Sequence, residues 1–207
     1  MLKLTIRNDR SGPIRGFHPW VFSKALASAP EGIIPGEPVL LYDQSGNFLA
    51  SGYFNSYGQI SVRLWGQEED EEVGMDFFAR RIARARDIRL HYVENKGTNA
   101  YRLINGESDL LPGLTIDKYG DYLVVQFHTR GIERWKDDIV VALERTINPR
   151  GIYERSDIPA RHFDALGPVK GLLRGQVPDI IEIKENGFRF LVDIKEGQKT
   201  GFFLDRT

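Results

Sequence analysis

The chain has 207 residues, of which 41% are hydrophobic and 28% are charged, so it is a folded protein of one or two domains. The absence of cysteine excludes disulfides, thiolate metal sites and cysteine nucleophiles. A net charge of −1 argues against a uniformly basic nucleic-acid binder, although a balanced total can conceal segregated charge. The charged N-terminus and the lack of a long apolar run predict a cytoplasmic protein that has no membrane contact.

The acidic residues are concentrated in one short run. Residues 68–72 read Glu-Glu-Asp-Glu-Glu, whereas residues 1–66 carry six basic and four acidic side chains. An uninterrupted acidic run between more balanced segments is typical of a solvated linker. We therefore expect a first domain at 1–68, an acidic linker at 69–75, a second domain at 76–194 and a short lead-in segment at 195–207.

Short strands separated by turns are predicted for the first domain. Residues 39–42 and 48–50 flank a turn that contains Gly46 and Asn47, a pattern that favours a hairpin. Residues 59–65 alternate polar and apolar side chains, which is the period of a half-buried strand. The first domain is therefore predicted to be a small, mostly β barrel or sandwich.

The second domain mixes helical and strand periods. Apolar residues at spacings of three and four, from Phe78 to Tyr92, predict a helix over 76–92. The fold class is thus α+β, a small barrel followed by hairpins packed with helices. The other expected elements are a hairpin at 114–116 and 122–127, a helix over 132–147, a strand at 151–154, a loop-rich stretch over 159–174, and a hairpin at 180–183 and 188–192.

Basic and aromatic side chains alternate near the N-terminus, where residues 15–24 read RGFHPWVFSK. Aromatic faces stack on bases while Arg and Lys neutralise phosphates, so the mixture favours contact with RNA loops or single strands. The alternative is that Trp20 or Phe22 belongs to the barrel core. The candidate RNA-binding residues of this domain are Arg7, Arg10, Arg15, His18, Trp20 and Lys24.

The helix over 76–92 carries five arginines and is a second candidate surface. Arg80 and Arg84 represent a face that could follow a phosphate backbone. The alternative is a solvated helix that the adjacent acidic run neutralises, and the sequence does not decide between the two.

Motifs for metals and nucleotide cofactors do not occur in the sequence. The four histidines are far apart, so no metal site is expected, and neither glycine-rich phosphate-binding fingerprint occurs. A small hydrolase built from scattered His and Asp residues has no motif spacing to support it. We expect no cofactor bound to these residues alone.

The last residues are unusually apolar for a chain end. Residues 197–206 read GQKTGFFLDR, whereas ordinary tails are polar. The segment either packs on the second domain or leads into something further, and the sequence favours the second interpretation.

Three stretches together resemble a known family: RGFHPWVF at 15–22, NGESDLLPGLTID at 105–117 and GQKTGFFLD at 197–205. They resemble the S-adenosylmethionine-dependent methyltransferases that modify cytosine C5 in 23S, large-subunit ribosomal RNA. That family joins an N-terminal PUA domain, a central α+β domain and a Rossmann-like catalytic domain. The resemblance covers almost all of this chain but only the first half of the family's architecture, so the catalytic domain is expected to be absent from these residues.

The resemblance implies ribosomal RNA as the partner and a PUA domain as the RNA-binding module. The sequence leaves the oligomeric state open, a homodimer included. In the full-length enzyme it implies contributions to the cofactor and substrate pocket from Lys199, Thr200, Phe202, Phe203 and Asp205. Relatives carry Gln between the positions of Asp205 and Arg206, and this chain does not. Cytosine C5 needs a thiolate added at C6, so a chain that has no cysteine is expected to be inactive alone. The alternative is a free-standing RNA-binding adaptor.

Overall fold

Alternating apolar residues build a six-stranded sheet from the first 66 residues of the chain. We describe it from a computed structural model that covers residues 1–28, 31–93 and 97–204, so the predicted site residue Asp205 lies outside the described residues. The elements are β1 (Leu2–Ile6), α1 (Ser11–Arg15), β2 (Trp20–Phe22), β3 (Leu26–Ser28), β4 (Pro38–Asp43), β5 (Phe48–Phe54) and β6 (Ile60–Gly66).

The strand order in this sheet is β2-β6-β5-β4-β1-β3, and β1 pairs with β4 in parallel. The predicted hairpin is confirmed, since β4 and β5 pair antiparallel across the turn. The inward residues form one core, which includes Leu4, Ile6, Val39, Leu41 and Val62.

Trp20 and Phe22 do not belong to this core, and the interpretation that placed one of them there is wrong. Strand β2 lies at the edge of the sheet and its side chains alternate. Val21 therefore points inward and is buried, while Trp20 and Phe22 are 38% and 44% exposed.

The second part of the chain is built on a five-stranded sheet of order β11-β10-β9-β8-β7. Strands β9 and β10 are parallel, so the chain crosses between them through two helices. The elements are α2 (Met75–Tyr92), β7 (Ala100–Asn105), β8 (Leu114–Tyr119), β9 (Tyr122–Phe127), α3 (Arg130–Glu133), α4 (Lys136–Ile147), β10 (Gly151–Ser156) and β11 (Val169–Gly175).

Several predicted elements of this part are confirmed and others differ. The helix at 76–92 and the hairpin at 114–127 are present, but the helix expected over 132–147 is interrupted at Arg134 and Trp135. Strands β7 and β11 were not predicted, and β11 lies in the stretch expected to be loop-rich. Strand β11 is an exposed edge strand, so it lacks the apolar alternation that marks a half-buried strand.

A final hairpin covers the other face of this sheet. It consists of β12 (Ile180–Glu185) and β13 (Phe188–Asp193), as predicted. The turn residues Asn186 and Gly187 both have positive φ, 51° and 84°, which the tight hairpin turn requires. Along β9, Val124 contacts the hairpin cluster while Leu123 and Val125 contact the helix cluster, so the sheet separates two hydrophobic layers.

The fold class is therefore α+β, as predicted, with a small β unit followed by strands packed with helices. Among the described residues, no helix is long and apolar enough to cross a membrane.

Two aromatic side chains of the β unit lie in the core of the second part. Tyr53 from β5 and Trp65 from β6 belong to the same buried cluster as Phe77 of α2, and the Trp65 and Phe77 ring centroids are 5.2 Å apart. A Cβ at Gly131 would lie 2.2 Å from the Tyr53 ring, so glycine is required for this close approach. The two parts are thus held together by shared packing as well as by the chain.

The acidic run contacts the second part at Glu71, whereas the other four acidic residues of the run are exposed. The Glu71 carboxylate accepts hydrogen bonds of 2.9 Å from Arg80 and from Arg81. Glu69 also accepts a hydrogen bond from the Tyr42 hydroxyl. The run therefore neutralises part of the arginine-rich helix, as one of the two interpretations of that helix expected.

Candidate RNA-binding surface

A pocket of about 490 Å³ lies between α1 and β2, and it brings predicted residues together. Arg10, His18, Trp20 and Lys24 all line it, although they are spread over fifteen positions of the sequence. Phe22 lines the same pocket, which we call the α1–β2 pocket. Basic and aromatic side chains therefore meet in one concave surface.

The aromatic rings of this pocket form a surface cluster. Because β2 turns Val21 inward, the side chains of Trp20 and Phe22 project on the opposite face. The His18 ring centroid is 6.0 Å from that of Trp20 and 6.3 Å from that of Phe22. Exposed aromatic groups that are clustered rather than scattered mark an interaction site.

The basic residues around the pocket differ in how strongly the protein engages them. Lys24 is exposed and makes no ion pair within the described residues. Arg7 and Arg10 are also exposed and share Asp9 as a partner, at 3.3 and 3.4 Å. Exposed pairs of this kind are weak, so these cations remain able to bind a phosphate.

Arg15 has a structural role in addition to any contact with RNA. Its guanidinium lies 2.7 Å from the carboxylate of Asp43, which is buried at the end of β4. Hydrogen bonds from the side chain and backbone of Asn47 hold the pKa of Asp43 below its usual range, and Arg15 adds to this effect. Arg15 therefore fixes the end of α1 to the sheet.

Most arginines of α2 make hydrogen bonds to other groups of the same chain. Arg89 donates two hydrogen bonds of 2.5 and 2.7 Å to Asp109, and Arg86 donates to the Thr146 carbonyl oxygen at 2.8 Å. Arg80 is held by Glu71. Arg84 is exposed and has no ion pair in the part of the chain that the structure describes, so of the two predicted residues on this helix it is the one that no carboxylate engages.

The terminal segment packs on the second part over residues 197–204, as one of the two interpretations expected. Thr200 is 1% exposed, and its hydroxyl donates to Asp117 at 2.5 Å and lies 2.8 Å from the Tyr119 hydroxyl. Leu204 is buried in the cluster under the final hairpin.

This packing does not by itself provide a cofactor pocket. The Thr200 hydroxyl is fully used by protein groups, and the Phe202 ring packs on Phe190 at a centroid distance of 5.1 Å. Lys199 and Phe203 are exposed, with the Lys199 ammonium 4.5 Å from the Phe203 ring centroid. Of the predicted pocket residues, Lys199 and Phe203 thus face solvent, while Thr200 and Phe202 hold the segment in place.

His128 is a half-buried histidine next to the junction of the two parts, and its Nε2 atom is buried. Its Nε2 atom has no hydrogen-bond partner among the described residues. Burial is the largest effect on the pKa of His128 and lowers it; the nearby Glu107 carboxylate opposes this, and the guanidinium groups of Arg102, Arg161 and Arg63 lower the pKa further. The side chain is therefore neutral in the folded protein at neutral pH.

We expect acidification to destabilise the protein through this histidine. Because its folded-state pKa lies below the unfolded value of about 6.5, protons bind the unfolded chain preferentially once the pH falls below that value. The stabilisation is complete above the unfolded pKa and is lost as the pH falls toward the folded pKa. Urea unfolding at several pH values should show a weaker acid dependence in His128→Asn, whereas His162→Asn, at an exposed histidine, should retain the wild-type dependence.

Two residues at this surface, Glu107 and Phe17, were not among the sequence-based candidates. The indole nitrogen of Trp20 donates to Glu107 Oε1 at 2.8 Å, which joins the aromatic surface to the second part of the chain. Phe17 is 75% exposed and has a positive φ of 63°. Both residues lie in stretches that carry the family resemblance, and this resemblance was the one feature of the sequence that pointed to them.

Comparison with protein families matches residues 4–67 to the PUA-like domain. The match contains the whole α1–β2 pocket. Two solved structures share the fold of the full chain. A Streptococcus mutans protein described as a SAM-dependent methyltransferase has a TM-score of 0.81 at 25% identity, and a methyltransferase complex with SAH has 0.82 at 26%.

Curated proteins with similar sequences are named as ribosomal RNA large subunit methyltransferase I. The one from Shewanella denitrificans is 40% identical over 99% of this chain, and the one from Tolumonas auensis is 40% identical over 97%. This chain spans about half the length of these relatives, 52% and 51%, and likewise 52% and 51% of the two solved structures. The chain thus contains a PUA-like domain and is homologous over nearly all its length to half of a large-subunit ribosomal RNA methyltransferase.

Proposed function

We propose that this chain binds large-subunit ribosomal RNA through the α1–β2 pocket and positions it for S-adenosylmethionine-dependent methylation. The observation that carries the proposal is the meeting of Arg10, His18, Trp20 and Lys24 in one pocket of a PUA-like domain. The names of the relatives support ribosomal RNA as the partner and methylation as the reaction.

The chemistry of the pocket suits an RNA loop or a single strand. Trp20 and Phe22 offer partly exposed ring faces on which bases stack, a contact that every base can make. Lys24 and Arg10 lie on the same surface and neutralise the phosphates between stacked bases. The balanced charge of the chain does not oppose this, since the acidic run is partly engaged by Arg80 and Arg81.

The described residues are assigned to binding and positioning rather than to the transfer step. Methylation at cytosine C5 requires a nucleophile that adds at C6, and the 207 residues contain no cysteine. S-adenosylmethionine supplies the methyl group in such reactions. In a full-length enzyme, we assign Lys199 and Phe203 to contacts with the cofactor or substrate, while Thr200 and Phe202 hold the segment that carries them.

The RNA assignment predicts the effect of one lysine. Lys24→Ala should weaken binding to a structured ribosomal RNA fragment several-fold, and should lower the slope of log K against log salt by about one, because one phosphate contact is lost. Fluorescence anisotropy titrations at several salt concentrations measure both quantities.

The matched control is Lys184→Ala, which removes an exposed lysine from the final hairpin. It should bind RNA with the wild-type affinity and salt slope. Equal losses in the two variants would show that only net charge matters, and would contradict a role for the α1–β2 pocket.

A further inference from the structure

A second pocket, of about 300 Å³, opens where the PUA-like domain meets the second part of the chain. We call it the junction pocket. Its walls are mostly apolar, and the polar residues among them are Glu107, Ser108 and Gln67. Its lining includes Phe17, Pro19 and Trp65 from the first part, and Glu107, Ser108 and Leu110 from the second.

Phe17 presents its ring at this pocket because of an unusual backbone conformation. After α1 ends, its backbone N–H donates to the Ile14 carbonyl oxygen at 3.1 Å, and its φ of 63° lies in the left-handed region. For a bulky residue this region is strained, and such residues cluster at ligand-binding sites. The strain directs a large apolar ring into solvent, where it has no role in the core.

Glu107 supplies a hydrogen-bond acceptor beside that ring. One carboxylate oxygen accepts from the Trp20 indole, and the partly exposed carboxylate lines the pocket. A carboxylate in an otherwise mostly apolar pocket offers a ligand one directed hydrogen-bond acceptor.

The neighbouring surface indicates what kind of ligand this is. Trp20 contributes its ring to the α1–β2 pocket and its N–H group to Glu107, so a strand that crosses Trp20 reaches both pockets. The negative charge of Glu107 repels phosphate, so the group that enters the junction pocket is a base. A carboxylate accepts hydrogen bonds and donates none, so it favours a base that offers an amino group.

We propose that the junction pocket binds an unpaired nucleobase with an exocyclic amino group, which stacks on Phe17 and donates to Glu107. Uracil is disfavoured, because its edge places the acceptors O2 and O4 against the carboxylate on either side of one N–H group. The proposal rests on the proposed RNA-binding function and adds base selectivity to it.

The test compares labelled hexamers of cytidine and uridine by fluorescence anisotropy at neutral pH. The wild-type chain should bind the cytidine hexamer roughly tenfold more tightly, the ratio expected for one selective hydrogen-bonded contact. Glu107→Gln should bring the ratio near one, because an amide also donates to O4. Phe17→Ala should weaken binding to both hexamers and leave the ratio less changed.

The matched control is Glu72→Gln, which makes the same charge change at an exposed residue of the acidic run and should keep the wild-type ratio. If Glu107→Gln fails to fold, as judged by circular dichroism, Glu107→Asp withdraws the carboxylate by one methylene and should also reduce the ratio.

The outcomes separate this proposal from the one on which it rests. Equal wild-type affinity for the two hexamers overturns the proposal that the junction pocket selects a base, and so does an affinity ratio that Glu107 variants do not change. Either result leaves the proposal of RNA binding itself intact. Failure to bind either hexamer and structured ribosomal RNA overturns both proposals.

Discussion

Replacing Arg161 by methionine is expected to lower the free energy of unfolding by about 3–5 kcal/mol, the usual cost of removing one partner from a buried ion pair. Arg161 is 1% exposed. Its guanidinium donates to both carboxylate oxygens of Glu133, at 3.0 and 3.2 Å, and to the carbonyl oxygens of Phe127 and Gly167. Methionine fills much of the volume but satisfies none of these acceptors.

The neighbouring charges make the loss larger than one ion pair suggests. Lys136 lies between Glu133 and Glu154, with distances of 3.1 and 3.0 Å, and Glu154 is almost fully buried. Without Arg161, the two carboxylates share a single lysine. Arg161 also joins the turn before β11 to the end of β9, so its removal loosens a connection between two strands that are not adjacent in the sheet.

Urea unfolding followed by circular dichroism measures this effect. Arg189→Met is the matched control, since Arg189 is exposed on the final hairpin and lies 3.5 Å from Glu182. An exposed pair contributes about 0–1 kcal/mol, so the control should unfold near the wild-type midpoint. A loss below about 1 kcal/mol in Arg161→Met would contradict the assignment of a buried structural network.

Asp117→Asn is expected to lower the free energy of unfolding by about 3 kcal/mol and to release the terminal segment. Asp117 is fully buried and accepts two hydrogen bonds from Arg102, at 2.9 and 3.1 Å, and one from Thr200 at 2.5 Å. An amide at this position places an N–H group against at least one donor. The charge that balances Arg102 is also lost.

The consequence for the terminal segment follows from the direction of the hydrogen bonds. The Thr200 hydroxyl donates to Asp117, so it accepts from Tyr119, and the Tyr119 oxygen accepts from the Phe202 N–H at 3.2 Å. Burial raises the pKa of Tyr119, so its hydroxyl remains a donor. A change at Asp117 therefore weakens the linked hydrogen bonds that run from Asp117 through Thr200 and Tyr119 to Phe202.

Limited trypsin digestion reports this release. Lys199 is exposed but lies in a segment that the hydrogen bonds keep in a fixed conformation, so cleavage after it should be slow in the wild type and at least several-fold faster in Asp117→Asn. Thr200→Val should also speed cleavage, with a smaller loss of stability of about 1–3 kcal/mol. Asp121→Asn, at an exposed pair with Arg150, should change neither measurement.

Elements with local sequence signals were predicted well. The hairpin at Asn186 and Gly187 follows from turn residues that accept positive φ, and α2 follows from apolar spacing over five turns. The buried stripe of α2 nevertheless ends at Ala85, while Ile88 and Tyr92 are exposed. Periodicity predicts a helix and its apolar face. How much of that face is buried depends on the neighbouring elements that pack against it.

The candidate site was found in part. Composition and motif placed basic and aromatic residues near the N-terminus, and four of them share one pocket. The opposite orientations of Val21 and Trp20 were not predicted, because a strand of three residues is too short for its pattern to show which face is buried. Glu107 was not a candidate because its partner Trp20 lies 87 positions away in the sequence.

From its residues alone, the sequence establishes the fold class, the hairpins and the helix over 76–92, because turn chemistry and apolar period act over a few neighbouring residues. The lack of cysteine likewise excludes a thiolate nucleophile in these residues without any structure. Tertiary structure alone decides that Glu71 docks on α2, that Thr200 is buried against Asp117, and that Trp20 meets Glu107. Each of these contacts depends on two segments being brought together by packing, and local sequence preferences carry no information about such distant pairs.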